Sequence, residues 1–221
     1  DGLPATLTNS LTINNPNTVT LSAARTISTG TLNLVNGTFA TNNLLTLGNS
    51  ATAANATLNR SGGSMTGNLQ GANWYTVVYS GVSKNSGQEF SGTGFRNLTV
   101  NMNSQQSVTL AASRTVPGTL TLTSGVINTG SFTINLTGTL SGGNSNSYIN
   151  GNLQRSIAAG ANSYTFPIGT SAAYAPVTLN FGASTVAGSL TGSTSNGDNS
   201  FIGLTTINSF RSVNRTWQFA V

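Results

Sequence analysis

Apolar residues fall at every second position over short stretches of this chain. Leu11-Thr-Ile13, Thr31-Leu-Asn-Leu34, Leu44-Leu-Thr-Leu47, Leu98-Thr-Val100, Thr119-Leu-Thr-Leu122 and Phe132-Thr-Ile-Asn-Leu136 all carry the pattern. Period two is the strand period, one side chain in and the next out. Asn36-Gly37, Ser124-Gly125, Thr129-Gly130 and Gly142-Gly143 punctuate these segments with residues that tolerate the positive φ of tight turns. No stretch reads as a helix, so the predicted class is all-β.

The alternating segments belong to a longer repeat. Val19-Thr-Leu-Ser-Ala-Ala-Arg25-Thr-Ile27 returns as Val108-Thr-Leu-Ala-Ala-Ser-Arg114-Thr-Val116, displaced by 108 − 19 = 89 positions. Gly30-Thr-Leu-Asn-Leu34 answers to Gly118-Thr-Leu-Thr-Leu122, Gly67-Asn-Leu-Gln70 to Gly151-Asn-Leu-Gln154, and Gly71-Ala-Asn-Trp-Tyr-Thr76 to Gly160-Ala-Asn-Ser-Tyr-Thr165. The order is kept, as in chains that duplicate a structural unit and vary its loops. The repeat divides the chain into a first β-unit over 1–96, a second over 97–183, and a tail over 184–221 that completes a sandwich or pairs with a neighbouring subunit.

Gly-Thr-Leu stands at Gly30, Gly118 and Gly138, and the last two are 138 − 118 = 20 residues apart. That spacing matches one coil of a β-solenoid, although a sandwich of short hairpins accommodates similar strands. A solenoid is the favoured reading for 1–60 and 97–143. From Tyr148 the strands lengthen, with Pro at their edges in Tyr164-Thr-Phe-Pro-Ile-Gly169 and Ala175-Pro-Val-Thr-Leu-Asn-Phe181, which predicts a β-sandwich-like C-terminal portion.

Composition narrows the function classes. Only 5% of the 221 residues are charged, yet 37% are apolar, and disorder ordinarily goes with low hydrophobicity and high charge. Eight Lys and Arg face three acids, for a net charge of +5. The bases are scattered along the chain, whereas nucleic-acid binding needs them gathered on one face; nucleic acid is therefore not an expected partner. There is no Cys, and no apolar run long enough to span a bilayer, so membrane insertion is not expected either. With no initiator Met and no basic leader before Asp1, the chain reads as a processed protein or a piece of a longer one.

The order Tyr148-Ile-Asn-Gly-Asn-Leu-Gln-Arg155, Ser163-Tyr-Thr-Phe-Pro-Ile-Gly-Thr170, Tyr174-Ala-Pro-Val-Thr-Leu179 and Ser212-Val-Asn-Arg-Thr-Trp217 resembles large, repetitive, adhesin-like β-proteins secreted by Bacteroidetes. The resemblance is firmest over 97–217. Thr216 departs from that family's Asn-Arg-aromatic-Trp, and no sorting domain follows Val221. The resemblance implies a cell-surface or extracellular location and a structural or adhesive role.

Catalytic chemistry has little to work with. The chain has no His, and its acids are Asp1, Glu89 and Asp198, far apart in sequence, whereas acid–base catalysis needs titratable groups at a shared site. No enzyme activity, cofactor or metal site is expected; the Gly-Gly-x-Gly-x-Asp calcium motif is absent. Lys84-Asn-Ser-Gly-Gln-Glu89 reads as a hairpin turn with a weak Lys84–Glu89 ion pair. Arg25 and Arg114 occupy matching places in the repeat, as duplication alone requires.

Trp74, Tyr75 and Tyr79 form the densest aromatic patch, a candidate contact for surface glycans or a protein partner, although their alternation places some of them in the core. Thr119, Thr121 and Thr123 share one strand face, a row able to order water, although Thr is the commonest outward residue of the chain. Leu3, Leu7, Leu11 and Ile13 at one end, and Trp217, Phe219 and Val221 at the other, are candidate strand-exchange segments. The leading functional expectation is a non-enzymatic structural module of a surface polymer or filament, joining copies of itself head to tail. A monomeric adhesin module that binds carbohydrate and a polysaccharide-active β-helix enzyme are the rivals.

Overall fold

Strands with leucine on one side and Thr or Asn on the other bury their apolar side by stacking on further strands of the same pattern. The computed structural model, which describes residues 2–184 and 186–221, achieves this by coiling: the chain is an all-β solenoid of about 8 turns. Leu11 pairs with Leu32, Leu32 with Leu58, Leu58 with Val77, Val77 with Leu98, Leu98 with Leu120 and Leu120 with Leu140, all in parallel. A turn therefore takes between 77 − 58 = 19 and 58 − 32 = 26 residues.

One wall, the long sheet, runs the length of the coil. Its strands, in spatial and chain order, are Leu11–Thr20, Gly30–Ala40, Ala56–Arg60, Tyr75–Gly81, Phe95–Met102, Thr119–Ser124 and Thr139–Gly142. The opposing wall changes midway. A short sheet of Thr6–Leu7, Arg25–Ile27, Leu45–Leu47 and Leu69–Gln70 serves the first half. A mixed sheet that begins with Lys84–Asn85, Ser107–Thr109, Val126–Leu136 and Ile149–Ile157 serves the second. At the handover lies a single 3-10 turn, Gln88–Phe90, with Glu89 and Phe90 buried.

The central ladder of Leu32, Leu58, Val77, Leu98 and Leu120 is fully enclosed, and each such side chain contributes roughly 1.5–3 kcal/mol by leaving water. Two residues along, the ladder of Ile13, Leu34, Arg60, Tyr79, Val100 and Leu122 is interrupted by polar groups.

On the solvent side of the long sheet two ranks run parallel to the axis. The first is Thr31, Thr57, Thr76, Asn97, Thr119 and Thr139; the second is Asn33, Asn59, Val78, Thr99, Thr121 and Ser141. Thr123 also lies outside, and Leu120 and Leu122 inside, as the alternation predicts.

Stacked turns approach closely where Gly-Thr-Leu recurs: Thr119 pairs with Thr139 and Leu120 with Leu140, and a Cβ on Gly138 would stand 1.8 Å from the Gly118 carbonyl oxygen. The 20-residue recurrence is thus one turn of the coil. The boundary drawn at 96/97 falls inside the Phe95–Met102 strand, which pairs with both Tyr75–Gly81 and Thr119–Ser124, so the two repeat units form one continuous coil.

Ile149–Ile157 still pairs in parallel with Val126–Leu136 and with Ile168–Gly169, but it also begins an antiparallel run, taking Gly188–Asn196, which takes Arg215–Ala220. A separate hairpin joins Gly160–Phe166 to Val177–Ser184, and its Phe166 ring packs on Phe219 at 5.4 Å. The C-terminal sheet is joined edge-on to the coil through Ile149–Ile157.

Candidate functional site

Ala56-Thr-Leu-Asn-Arg60 alternates in phase, so the strand that sends Ala56 and Leu58 inward sends Arg60 inward too. Arg60 is 5% exposed. Its charge is met by Glu89, fully buried on the 3-10 turn, with Arg60 Nη1 donating to Glu89 Oε1 at 2.7 Å. The guanidinium also donates to the Gly63 carbonyl at 3.1 Å and the Asn85 carbonyl at 3.0 Å. Glu89 Oε1 further accepts from the Tyr79 hydroxyl and from the Gly87 N–H, the latter at 2.8 Å. Tyr75 donates to the Glu89 carbonyl at 3.0 Å, and Phe90 packs edge-on against Phe95 with ring centres 4.8 Å apart. The cluster seals the coil where its second wall changes from the short to the mixed sheet.

This differs from the ion pair predicted between Lys84 and Glu89. Glu89 turns into the core toward Arg60, while Lys84 Nζ donates to the Ser80 carbonyl at 2.6 Å and to the Val82 carbonyl. Twenty-nine residues separate Arg60 from Glu89, so no local motif announces the pair. The phase of alternation at Arg60 is the signal that was available in the sequence.

Burial raises the pKa of Tyr75 and Tyr79 above the ordinary tyrosine value, and the Glu89 charge adds to both shifts. Burial, reinforced by Arg60, lowers Lys84 to about 8. These shifts have opposite consequences. The unfolded tyrosines ionise near about pH 10 while the folded ones stay protonated, so their contribution is complete below that pH and is lost above it. Lys84 loses its proton earlier when folded, so stability rises between about pH 8 and about pH 10.5. The expected unfolding free energy is flat or rising to about pH 10 and then falls, by up to about 1.4 kcal/mol per pH unit for each tyrosine. Tyr79→Phe is expected to make that fall shallower by up to about 1.4 kcal/mol per pH unit in a pH series of urea titrations; an unchanged slope would remove Tyr79 as a source.

The aromatic trio does not form one surface. Tyr75 and Tyr79 are buried, while Trp74 is half-buried beneath the Arg96 guanidinium, 4.1 Å from its ring. Of the acids, Glu89 is enclosed, Asp198 lies in the C-terminal loop and accepts from Ser212, and Asp1 lies outside the described residues.

Both sets of strand-exchange candidates map to sheet edges or beside them. Among the described residues, Leu11–Thr20 is paired only with Gly30–Ala40, and Arg215–Ala220 only with Gly188–Asn196. Leu3, Leu7 and Leu11 are half-buried against the core and Ile13 is buried. Trp217 donates to the Ala175 carbonyl at 3.0 Å, Phe219 packs inward, and Val221 is exposed. Sequence reasoning missed the 197–214 loop between the last two strands, where Phe201, Leu204, Ile207, Phe210 and Val213 are all exposed. Phe201, Ile207, Val213, Arg211 and Arg215 help line a cavity of about 420 Å³ there.

No family model, curated protein or solved structure matches the chain. Among the described residues no helix is long and apolar enough to cross a membrane.

Proposed function

We propose that this chain is a non-enzymatic structural segment of an extracellular surface polymer, joined head to tail to copies of itself by β-strand pairing. The supporting observation is a parallel coil with open strand edges toward both ends, Leu11–Thr20 at one and Thr139–Gly142 and Arg215–Ala220 toward the other. Unpaired edges recruit further strands, and a heterologous contact repeated without closure makes a filament. The low charge offers little repulsion against it.

The first edge is not uniform. Pro16 lacks an N–H, and the register slips between Asn14 and Thr18, so the docking stretch is Leu11–Ile13, where the ladder is regular. At the other end the incoming strand extends the antiparallel C-terminal portion into a sandwich-like joint. Negative-stain microscopy over a concentration series tests the reading. Fibres are expected from the full chain and not from a chain lacking residues 1–13 or carrying Thr12→Pro; monodisperse short rods from all three would refute it.

A second reading, a monomeric adhesin module, is favoured by the exposed apolar loop, where Phe210 is 98% and Leu204 84% exposed. Selective retention on a glycan array, lost in Phe210→Ser, would put this reading first.

A further inference from the structure

The outer face of the long sheet is an ordered lattice of short polar side chains, and neither the coil's assembly nor its core requires that composition. In-register parallel pairing sets neighbours within a rank about 4.8 Å apart along the axis, and the two ranks, two residues apart on each strand, about 6.6 Å apart across it. Six successive strands contribute one residue to each rank, and only Val78 lacks a polar side-chain atom.

The ranks are held still. Asn59 donates to Asn33 at 3.1 Å, Asn97 to Thr76 at 3.2 Å, and the Thr119 and Thr139 hydroxyls lie 3.0 Å apart. Threonine is stiff at χ1, and every strand is fixed by its ladder, so ordering on contact costs little.

None of the twelve positions is charged or aromatic. Two cations adjoin the ranks in sequence: Arg60, after Asn59, turns into the core toward Glu89, and Arg96, before Asn97, is drawn aside over Trp74. Stacking on pyranose rings needs aromatic faces, and nucleic acid or an acidic surface needs cations. What the face offers is a neutral, rigid net of hydroxyls, amides and methyls at two fixed repeats.

We propose that this face binds the surface of ice. The two repeats lie close to oxygen spacings on the faces of hexagonal ice; hydroxyls and amides anchor waters at that lattice, and the intervening methyls sit in its hollows. The absence of charge is the complement of a neutral crystal that excludes ions. The face lies parallel to the axis, and pairing at the ends uses backbone edges rather than these side chains, so it operates in a single chain or along a filament.

The test is incorporation into slowly growing ice, together with inhibition of ice recrystallisation, by the full chain and by Thr57→Lys, Thr121→Lys and Thr109→Lys. The first two raise an ammonium from the ranks, whereas Thr109 is exposed on the mixed sheet. Thermal melting verifies that each variant folds. The parent and Thr109→Lys are expected to enter the ice and slow recrystallisation, and Thr57→Lys and Thr121→Lys to lose at least about tenfold in potency, since a misplaced charge opposes docking. Exclusion of the parent from ice, equal potency in all four proteins, or loss in Thr109→Lys alone would overturn the assignment. Retention on crystalline chitin or cellulose without uptake into ice would also overturn it, giving the face to a crystalline glycan.

Discussion

Glu89→Gln is expected to lower the unfolding free energy by about 3–5 kcal/mol, the usual cost of leaving one member of a buried ion pair unpaired. The amide has nearly the shape of the carboxylate, so the loss is one of charge. Arg60 would keep the Gly63 and Asn85 carbonyls and the new amide oxygen, all of them neutral acceptors for a buried cation, and Tyr79 would lose its anionic acceptor. Arg60→Leu with Glu89→Leu is expected to recover most of that loss, because an apolar side chain in place of Arg60 would continue the ladder begun by Ile13 and Leu34 and no charge would remain to bury. Urea titration of the parent, the single variant and the double variant checks both. A loss below about 1 kcal/mol in Glu89→Gln would show that the cluster is solvated like a surface pair. Hydrogen exchange adds a location: protection falls first in Ala56–Arg60, Tyr75–Gly81 and Phe95–Met102, because a coil transmits stability only between neighbouring turns.

Leu98→Ala is the second large effect, about 2–5 kcal/mol. Leu98 is fully enclosed, with Val77 on the turn before and Leu120 on the turn after. The hole left by its truncation resists collapse, because the strands above and below are held in register by their own backbone pairing. Thr99→Ala, one residue along on the solvent side, is expected to stay within about 0.5 kcal/mol. Leu140→Ala, half-buried at the edge of the long sheet, falls between the two. Equal losses at 98 and 99 in thermal melts would contradict the in-and-out assignment of the whole sheet.

The two effects differ in what the sequence discloses about them. Leu98 is legible: its alternation with Thr99 and Val100 names its side of the strand. Arg60 and Glu89 are each visible as rare charges in a nearly uncharged chain, but their partnership is not. Reading Lys84–Glu89 as a turn followed from proximity in sequence, and burial overrode it: an Arg already committed to the core by its strand phase needed an anion there, and the 3-10 turn delivered one. Tyr75 and Tyr79 follow the same phase rule inward, with Val77 between them, and Trp74, one step out of phase, is left at the surface under Arg96.

Local information therefore determined the all-β class, the inward leucines, the outward Thr and Asn, and one turn's length, since alternation and the Gly-Thr-Leu spacing are properties of a few consecutive residues. Tertiary structure alone decided the register between turns, the exchange of the short sheet for the mixed sheet, the Arg60–Glu89–Tyr79 cluster that fills that exchange, and the joining of outward residues from six strands into two straight ranks. The reason is the same in each case. Turns vary from 19 to 26 residues, so no fixed sequence interval predicts which side chains stack, and the alignment is set by the core ladder as a whole.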